Sequence, residues 1–231
     1  MPKAFTPRRG GAPKGRRPAP VPADLPRDVV EEIQRVTRPT EVRDALSRLS
    51  RATELLERGD TGAASAEAVK AKKLAPRSPA VREVLGLSLY GQKRWQEALT
   101  ELKAYRRMSE RADQNHIIAD CFRALGRPAE AVPLVEEELR AKVPNEAKAE
   151  AVIVAASALA DQGRYAEALA FLGRAKTKAN VAEPYTLRLW YVRGDILAKA
   201  GRDDEAAAEF RKVMRHDATA FDTAERLAAL G

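Results

Sequence analysis

The chain has 231 residues, of which 45% are hydrophobic and 32% charged, so it can bury the core of one domain or of a small pair. Only 5% of the residues are aromatic, and Ala, Leu, Arg and Glu dominate, which favours helices over strands. The single cysteine excludes an internal disulfide and a metal site built from several cysteines, and such cysteine usage is typical of a reducing compartment.

The sequence also argues against a membrane protein. Its longest apolar stretch, residues 151–160, has about half of the ~20 residues that a spanning helix needs. The basic residues at the N-terminus are not followed by the apolar core of a secretory signal, and they carry no lipidation motif. We therefore expect a cytoplasmic protein without a membrane partner.

Residues 1–26 differ in composition from the rest of the chain. They hold seven of the 14 prolines and three glycines, which predicts a disordered arm. Six cations account for most of the net charge of +8: Lys3, Arg8, Arg9, Lys14, Arg16 and Arg17. Their Arg/Gly context resembles arms that contact nucleic-acid phosphate. An association with RNA or ribosomes is therefore one functional alternative, and a tail that only aids solubility is another.

From residue 27 onward, apolar residues recur at helical spacing and one motif repeats along the chain. The motif is an apolar stretch, a Gly-containing or polar turn, and an acidic stretch with a small residue. Its aligned alanines are Ala64, Ala98, Ala131, Ala168 and Ala206, at steps of 34, 33, 37 and 38 residues. Such a period is typical of helical repeats. Each repeat is predicted to form two antiparallel helices, and the whole an all-α solenoid.

The repeats contain glycines of two kinds. Four of them fall at the predicted turns: Gly59, Gly126, Gly163 and Gly201. Because glycine has no Cβ, it adopts without strain the left-handed conformation that ends many helices. Gly86 and Gly194 fall instead inside predicted helices, where glycine costs ~1 kcal/mol relative to alanine. We expect a neighbouring helix to approach closely at these two positions.

The repeats are similar to the bacterial-type tetratricopeptide repeat, whose pattern runs Trp, Leu-Gly, Tyr, Ala, Phe, Ala and Pro over about 34 residues. The last full unit carries Trp190, Gly194, Leu197, Gly201, Ala206, Phe210 and Val213. The second unit carries Leu85, Gly86, Leu89, Trp95, Ala98 and Leu102. This resemblance covers about five units over residues 41–217. It implies a right-handed superhelix within residues 27–231, with capping helices at 28–38 and 218–230.

The chain departs from the family pattern at three places. Arg82 stands where the family has Trp, and Pro133 falls inside the predicted second helix of the third unit. The steps of 37 and 38 residues imply lengthened connections between units. One of these is expected near residues 176–184.

The resemblance implies a non-enzymatic adaptor or scaffold that binds a protein or peptide in a concave groove lined by the first helix of each unit. Alignment to the turns assigns ten candidate groove residues: Glu83, Leu87, Tyr90, His116, Asp120, Arg123, Ser157, Arg188, Tyr191 and Asp195. Each of them also has the simpler interpretation of an ordinary solvated face.

One use of the groove is disfavoured by the residues present. Chaperone-binding members of the family clamp a C-terminal carboxylate with Lys and Asn at paired groove positions. Here the matching pairs are Glu83/Leu87, His116/Asp120, Ile153/Ser157 and Tyr191/Asp195. We therefore expect a mixed or basic peptide as the ligand rather than the acidic tail of a chaperone.

An enzyme is also disfavoured. The chain has no phosphate-binding loop, nucleophile elbow, dinucleotide fingerprint or His-Glu-x-x-His motif. His116 and Asp120 share a predicted helix face, but a single His-Asp pair makes neither a metal site nor a catalytic triad. Cys121 is best interpreted as a small buried hydrophobe. We expect no cofactor and no small-molecule substrate.

Overall fold

A computed structural model describes residues 25–175 and 184–230. Within these ranges the chain forms twelve α-helices and one 3-10 turn at Pro128–Glu130, and it has no β-strand. The helices are α1 (Arg27–Val36), α2 (Val42–Glu57), α3 (Thr61–Leu74), α4 (Pro79–Gly91), α5 (Trp95–Ser109), α6 (Asn115–Ala124), α7 (Ala131–Arg140), α8 (Asn145–Ala160), α9 (Tyr165–Leu172), α10 (Pro184–Lys199), α11 (Asp203–His216) and α12 (Thr223–Ala228). The basic arm and most of the predicted long connection, residues 176–183, lie outside the described residues.

Ten of these helices form five antiparallel pairs, which we call units one to five. The pairs are α2 with α3, α4 with α5, α6 with α7, α8 with α9 and α10 with α11. A short turn joins the two helices of each pair, so that the second helix runs back along the first. The prediction of an all-α solenoid of helix pairs is confirmed.

The turns within the units have the predicted backbone conformation. Gly59, Gly126, Gly163 and Gly201 have φ angles of 77°, 73°, 73° and 72°. In unit two, which has no glycine at this point, Lys93 adopts the same left-handed conformation with a φ of 60°. The turn geometry is therefore kept even where the residue type does not favour it.

The aligned small residues allow the two helices of a unit to pack closely. Ala64, Ala98, Ala131, Ala168 and Ala206 are all fully buried. A Cβ atom added at Gly86 would lie 2.6 Å from Leu102 Cγ, and one at Gly194 would lie 2.7 Å from Phe210 Cε1. These positions confirm the close approach that the sequence predicts at the two glycines inside helices.

An ion pair recurs immediately after four of the five turns. In each case an arginine just before the second helix pairs with a glutamate three residues later: Arg94 with Glu97, Arg127 with Glu130, Arg164 with Glu167, and Arg202 with Glu205. The glutamates lie at the positive ends of the helix dipoles. These side chains are exposed, so each pair contributes little to stability.

The departures from the repeat pattern are accommodated locally. Pro133 is the third residue of α7, in the first turn, where its missing N–H deprives the helix of no hydrogen bond. Arg82, in place of the family's Trp, donates to Glu101 Oε2 at 2.6 Å, and Lys72 Nζ lies 2.6 Å from Glu101 Oε1. Glu101 is only 7% exposed, so two cations neutralise a carboxylate between units one and two.

The helices divide into an inner and an outer layer. The first helices of successive units pack on one another: α2 on α4, α4 on α6, α6 on α8, and α8 on α10. The second helices do not make comparable contacts with one another in the described ranges. The first helices therefore line the inner face of the superhelix, and the second helices form its outer face.

Helix α8 is the most enclosed part of the inner layer. From Ala151 to Ala160, every residue is buried except Ser157, which is half-buried. The helix packs against α6, α7, α9 and α10 at once. The apolar stretch noted in the sequence is thus a core helix.

At the two ends, α1 packs on α2 and α12 packs on α11. Glu32 of α1 accepts hydrogen bonds from the Ser78 hydroxyl and from Ala80 N, so it satisfies a free backbone donor at the start of α4. That these two helices act as caps of the solenoid stays a prediction.

Candidate functional site

The ten predicted groove residues lie on α4, α6, α8 and α10, the first helices of units two to five. On α4, Glu83, Leu87 and Tyr90 follow one another at steps of four and three residues, so they share one face of the helix. All three are half-buried. The residues therefore belong to the inner layer, and the contacts of each decide what it offers to a ligand.

Three of the candidates form one hydrogen-bonded network across three units. The Tyr90 hydroxyl donates to Asp120 Oδ2 at 2.6 Å, and Arg123 Nη1 donates to Asp120 Oδ1 at 2.5 Å. Arg123 Nε reaches Asp161 Oδ2 at 2.6 Å. Burial and the neighbouring Asp120 raise the pKa of Tyr90, so its hydroxyl stays protonated and donates. We call Tyr90, Asp120, Arg123 and Asp161 the inner network.

Two further contacts join neighbouring first helices at either side of this network. Gln114 Nε2 donates to Glu83 Oε1 at 2.8 Å. Burial raises the pKa of Glu83 even though the hydrogen bond from Gln114 opposes this effect. Toward the C-terminal end of the solenoid, Arg188 on α10 forms an ion pair of 3.1 Å with Glu150 on α8. The inner face is therefore cross-linked from unit two to unit five.

His116 has a different environment from the other candidates. Its ring Nδ1 lies 2.7 Å from Glu138 Oε1, and its backbone N–H donates to Glu138 Oε2 at 2.7 Å. Glu138 belongs to α7 and is fully buried. His116 thus contacts the second helix of its own unit and does not join Asp120, the residue with which the sequence pairs it.

Tyr191 and Asp195 contact the C-terminal segment. The Tyr191 hydroxyl donates to Asp222 Oδ1 at 2.5 Å, and its ring centroid lies 4.7 Å from that of Phe221. Asp195 pairs with Arg226 of α12. Burial and Asp222 raise the pKa of Tyr191 to about 12. Here α12 occupies the place that the next first helix has elsewhere, because Tyr191 meets Asp222, the residue before α12, as Glu83 meets Gln114, the residue before α6.

Leu87 and Ser157 are the two candidates that remain outside these polar contacts. Leu87 packs against the apolar core between units one and three while part of its side chain stays accessible. Ser157 is the one accessible residue of the enclosed stretch of α8. At these two positions the inner face presents an apolar side chain, Leu87, and a small side chain, Ser157, rather than paired charges.

The sequence did not identify several partners of the candidates. Gln114, Glu138, Asp222 and Arg226 lie at separations of 22 to 31 residues from the candidates that they contact. For three of these contacts the separation of 31 residues, close to the repeat period, is the signal that could have found them. Glu138 is instead a polar residue on the buried side of α7, which the helical pattern alone could have indicated.

The remaining predictions concern metal binding, membrane spans, the single cysteine and the basic arm. Within residues 25–175 and 184–230, no group of three His, Cys, Asp or Glu side chains could hold a metal ion. None of the described helices has the length and apolar character to span a membrane. Burial raises the pKa of the Cys121 thiol to about 12, and the residue is fully buried, as its interpretation as a small hydrophobe predicts. The arm residues, Lys3 to Arg17, lie outside the described ranges.

Solved structures with the same fold come from several proteins. A thermophilic TPR protein of Thermus thermophilus is 19% identical, with a TM-score of 0.64 over 80% of this chain and 98% of that one. YrrB, described as a TPR protein with an unusual peptide-binding site, is 18% identical, with a TM-score of 0.56 over 85% and 96%. The quorum sensor NprR of B. thuringiensis, in its apo form, is 19% identical, with a TM-score of 0.68 over 88% of this chain and 63% of NprR. At these identities the similarity concerns the fold.

Sequence comparison identifies the family. A search of curated protein sequences finds no match. One tetratricopeptide repeat profile matches residues 49–115 and a second matches residues 115–224. These two ranges cover most of the solenoid. They contain the left-handed turns, the buried alanines and all of the helix pairs except the start of α2. The chain therefore belongs to the tetratricopeptide repeat family.

Proposed function

We propose that this protein is a non-enzymatic adaptor that binds a protein or peptide on its inner face, without a cofactor or a small-molecule substrate. The observation that carries the proposal is the cross-linked inner face. Hydrogen bonds and ion pairs between first helices hold its side chains in fixed positions before a ligand arrives, which reduces the entropy lost on binding. A cytoplasmic location is part of the proposal.

The charges of this face support a ligand of mixed or basic character. Asp120, Asp161 and Glu150 contribute carboxylates, while Arg123 and Arg188 supply the cations that pair with them. A basic side chain of a ligand can share these carboxylates, and backbone amides of the ligand can donate to them. The Lys and Asn pairs of a carboxylate clamp are absent from the matching positions, so an acidic chaperone tail is not the proposed ligand.

A substitution that fills the inner face without removing a contact tests this proposal. Ser157→Arg places a long side chain at the accessible position of α8, and Ala66→Arg places the same side chain at an exposed position of α3, a second helix. Both variants, in the full chain, are compared with the native chain by crosslinked capture from native lysate. We expect Ser157→Arg to lose a protein that the native chain and Ala66→Arg both retain. Equal capture by all three contradicts binding on the inner face.

The same experiment distinguishes the alternative function through the basic arm. Captures are repeated with nuclease and with a chain that lacks residues 1–22. A partner on the inner face survives both treatments. Ribosomal or RNA-dependent partners that disappear with the arm would instead support phosphate contacts by Lys3, Arg8, Arg9, Lys14, Arg16 and Arg17.

A further inference from the structure

A basic depression lies on the outer face, between the C-terminal ends of α5 and α7. It consists of two adjoining parts of about 440 and 530 Å³ that share Glu110, Arg111 and Glu137 as lining residues. Six cations line it: Lys103, Arg106, Arg107, Arg111, Arg140 and Lys142. Three carboxylates, those of Glu110, Asp113 and Glu137, accompany them, so the depression carries an excess of positive charge. We call it the outer basin.

Half of these cations already have a partner. Arg106 pairs with Glu137, and Arg111 Nη2 lies 2.5 Å from Asp113 Oδ2. Lys103 Nζ lies 5.5 Å from the centre of the Phe122 ring, a cation–π contact that leaves its other side accessible. These contacts fix the edges of the basin.

The other three cations remain available to a ligand. Arg107, Arg140 and Lys142 are exposed, and no carboxylate of the described residues lies within ion-pair distance of them. Arg140 affects the carboxylate of Glu136 only through its charge, without a direct contact. The pKa of Glu136 is lowered mainly by its hydrogen bond with Arg174, and further by the charges of Arg174 and Arg140. Arg107 and Arg140 lie in the last turns of α5 and α7, where a positive charge stabilises the helix dipole. Lys142 lies beyond the end of α7, so this effect does not account for its presence.

The lining of the basin selects among anionic ligands. Pockets for small molecules are mostly apolar, whereas most residues that line the basin are charged. The lining contains no aromatic ring on which a nucleic-acid base could stack. Glu110 lies among the cations, and no cation of the described residues is within ion-pair distance of it, so it would repel a continuous row of phosphates. In a peptide, neutral residues between the carboxylates can lie opposite this glutamate while the carboxylates reach the arginines.

We propose that the outer basin binds an acidic peptide segment of a protein partner, with Arg107, Arg140 and Lys142 as the residues that pair with its carboxylates. This surface is formed by second helices and by the connections between units, whereas the inner face is formed by first helices. It takes a ligand of opposite character to the one proposed for the inner face.

The test measures binding of a fluorescent peptide in which Glu and Ser alternate over twelve residues. The full native chain is compared with the triple variant Arg107→Gln, Arg140→Gln, Lys142→Gln. A control variant, Arg43→Gln, Arg211→Gln, Arg215→Gln, loses the same charge at exposed positions elsewhere. We expect the basin variant to bind about tenfold more weakly, as the loss of three exposed ion pairs implies, and the control to bind nearly as the native chain does.

Two results overturn the proposal. Equal weakening in both variants shows that the peptide responds only to net charge. The second result concerns a labelled twelve-nucleotide oligouridylate. If it binds the native chain more tightly than the peptide does, and the basin variant abolishes this binding, the basin is a nucleic-acid site. Thermal unfolding of each variant, followed by circular dichroism, accompanies these measurements.

A second measurement on the native chain does not depend on how the variants fold. A carbodiimide joins peptide carboxylates to lysine amines that lie in contact with them, and mass spectrometry locates the adducts. We expect adducts at Lys142 and Lys103, both of which line the basin. Adducts found only at lysines outside the basin, such as Lys212, contradict the proposed site.

Discussion

At the scale of single residues, Glu138 shows how burial and hydrogen bonding oppose each other. Its side chain is fully buried, and its two oxygens contact the backbone N–H and the ring of His116. Burial raises the pKa of Glu138, while the contacts with His116 lower it to a smaller extent. The charged carboxylate is therefore costly in the folded chain, although its geometry is well satisfied.

This raised pKa predicts a specific dependence of stability on pH. Because the folded-state pKa lies above the unfolded value near 4.5, the proton stabilises the folded chain at low pH, and this contribution is lost as pH rises through the folded pKa. Glu138→Gln cannot ionise and keeps similar hydrogen bonds. We expect its free energy of unfolding to fall less than that of the native chain as pH rises from 4.5.

Urea unfolding at several pH values measures this difference. Glu225→Gln, at an exposed position of α12, is the control for loss of one carboxylate. A profile of Glu138→Gln that runs parallel to the native one would show that the buried carboxyl does not change its ionisation on folding.

At the scale of helix pairs, contact between α4 and α5 depends on the absence of a side chain at Gly86. The Cβ of an alanine there would lie 2.6 Å from Leu102 Cγ and 3.3 Å from Leu102 N. The first atom belongs to a side chain that can move, but the second belongs to the backbone of α5. An added methyl group must therefore push the two helices apart.

Gly86→Ala is expected to destabilise the chain by up to about 2 kcal/mol. Overpacking costs roughly 1–3 kcal/mol, and the better helix propensity of alanine returns about 1 kcal/mol. Gly62→Ala on α3 is the matched control, since the nearest atom to its Cβ would be Asp60 Oδ1 at 3.8 Å. Chemical unfolding of both variants checks this. Equal stability of the two would mean that α4 and α5 separate without cost.

The helices and most turns could be predicted from the sequence because local chemistry determines them. Glycine at a helix stop and alanine between paired helices each satisfy a requirement within one unit. Lys93 could not be predicted as a left-handed residue, since lysine does not favour that conformation. The packing of α4 and α5 imposes it, together with the hydrogen bond from Arg94 N to Leu89 O at 3.0 Å.

The candidate site was predictable only as a set of positions. Repeat alignment places Tyr90, Asp120 and Arg123 on first helices, but which of them meet depends on the rise and twist from one unit to the next. The sequence likewise gives no sign that Tyr191 contacts Phe221, because that contact requires the chain to turn back after α11. Contacts across units therefore needed the three-dimensional arrangement.

At the scale of the whole molecule, each unit contacts mainly its neighbours. Helix α12 extends this arrangement by one step, since it meets Tyr191 and Asp195 as the first helix of a sixth unit would. Without α12, the rings of Tyr191 and Phe210 and part of α10 would be exposed to water. In a solenoid, such a loss is expected to weaken the end unit more than distant ones.

Deletion of residues 218–231 is therefore expected to act locally. Amide hydrogens of α10 and α11 should exchange with solvent about tenfold faster or more, whereas those of α2 to α5 should change little. Hydrogen exchange followed by mass spectrometry measures this directly. A uniform loss of protection along the chain would show instead that the solenoid unfolds as a single cooperative block, and it would contradict a role of α12 as an end cap.

The short reach of the contacts has a consequence for synthesis of the chain. Among the described residues, the longest side-chain hydrogen bond in sequence joins Glu32 to Ala80, 48 residues apart, and Tyr90 finds Asp120 only 30 residues later. The contacts of the described residues are therefore local in sequence, and such a low contact order favours rapid folding. The first units can therefore complete their contacts on the ribosome while the last are still being translated, so little apolar surface is exposed to aggregation at any moment.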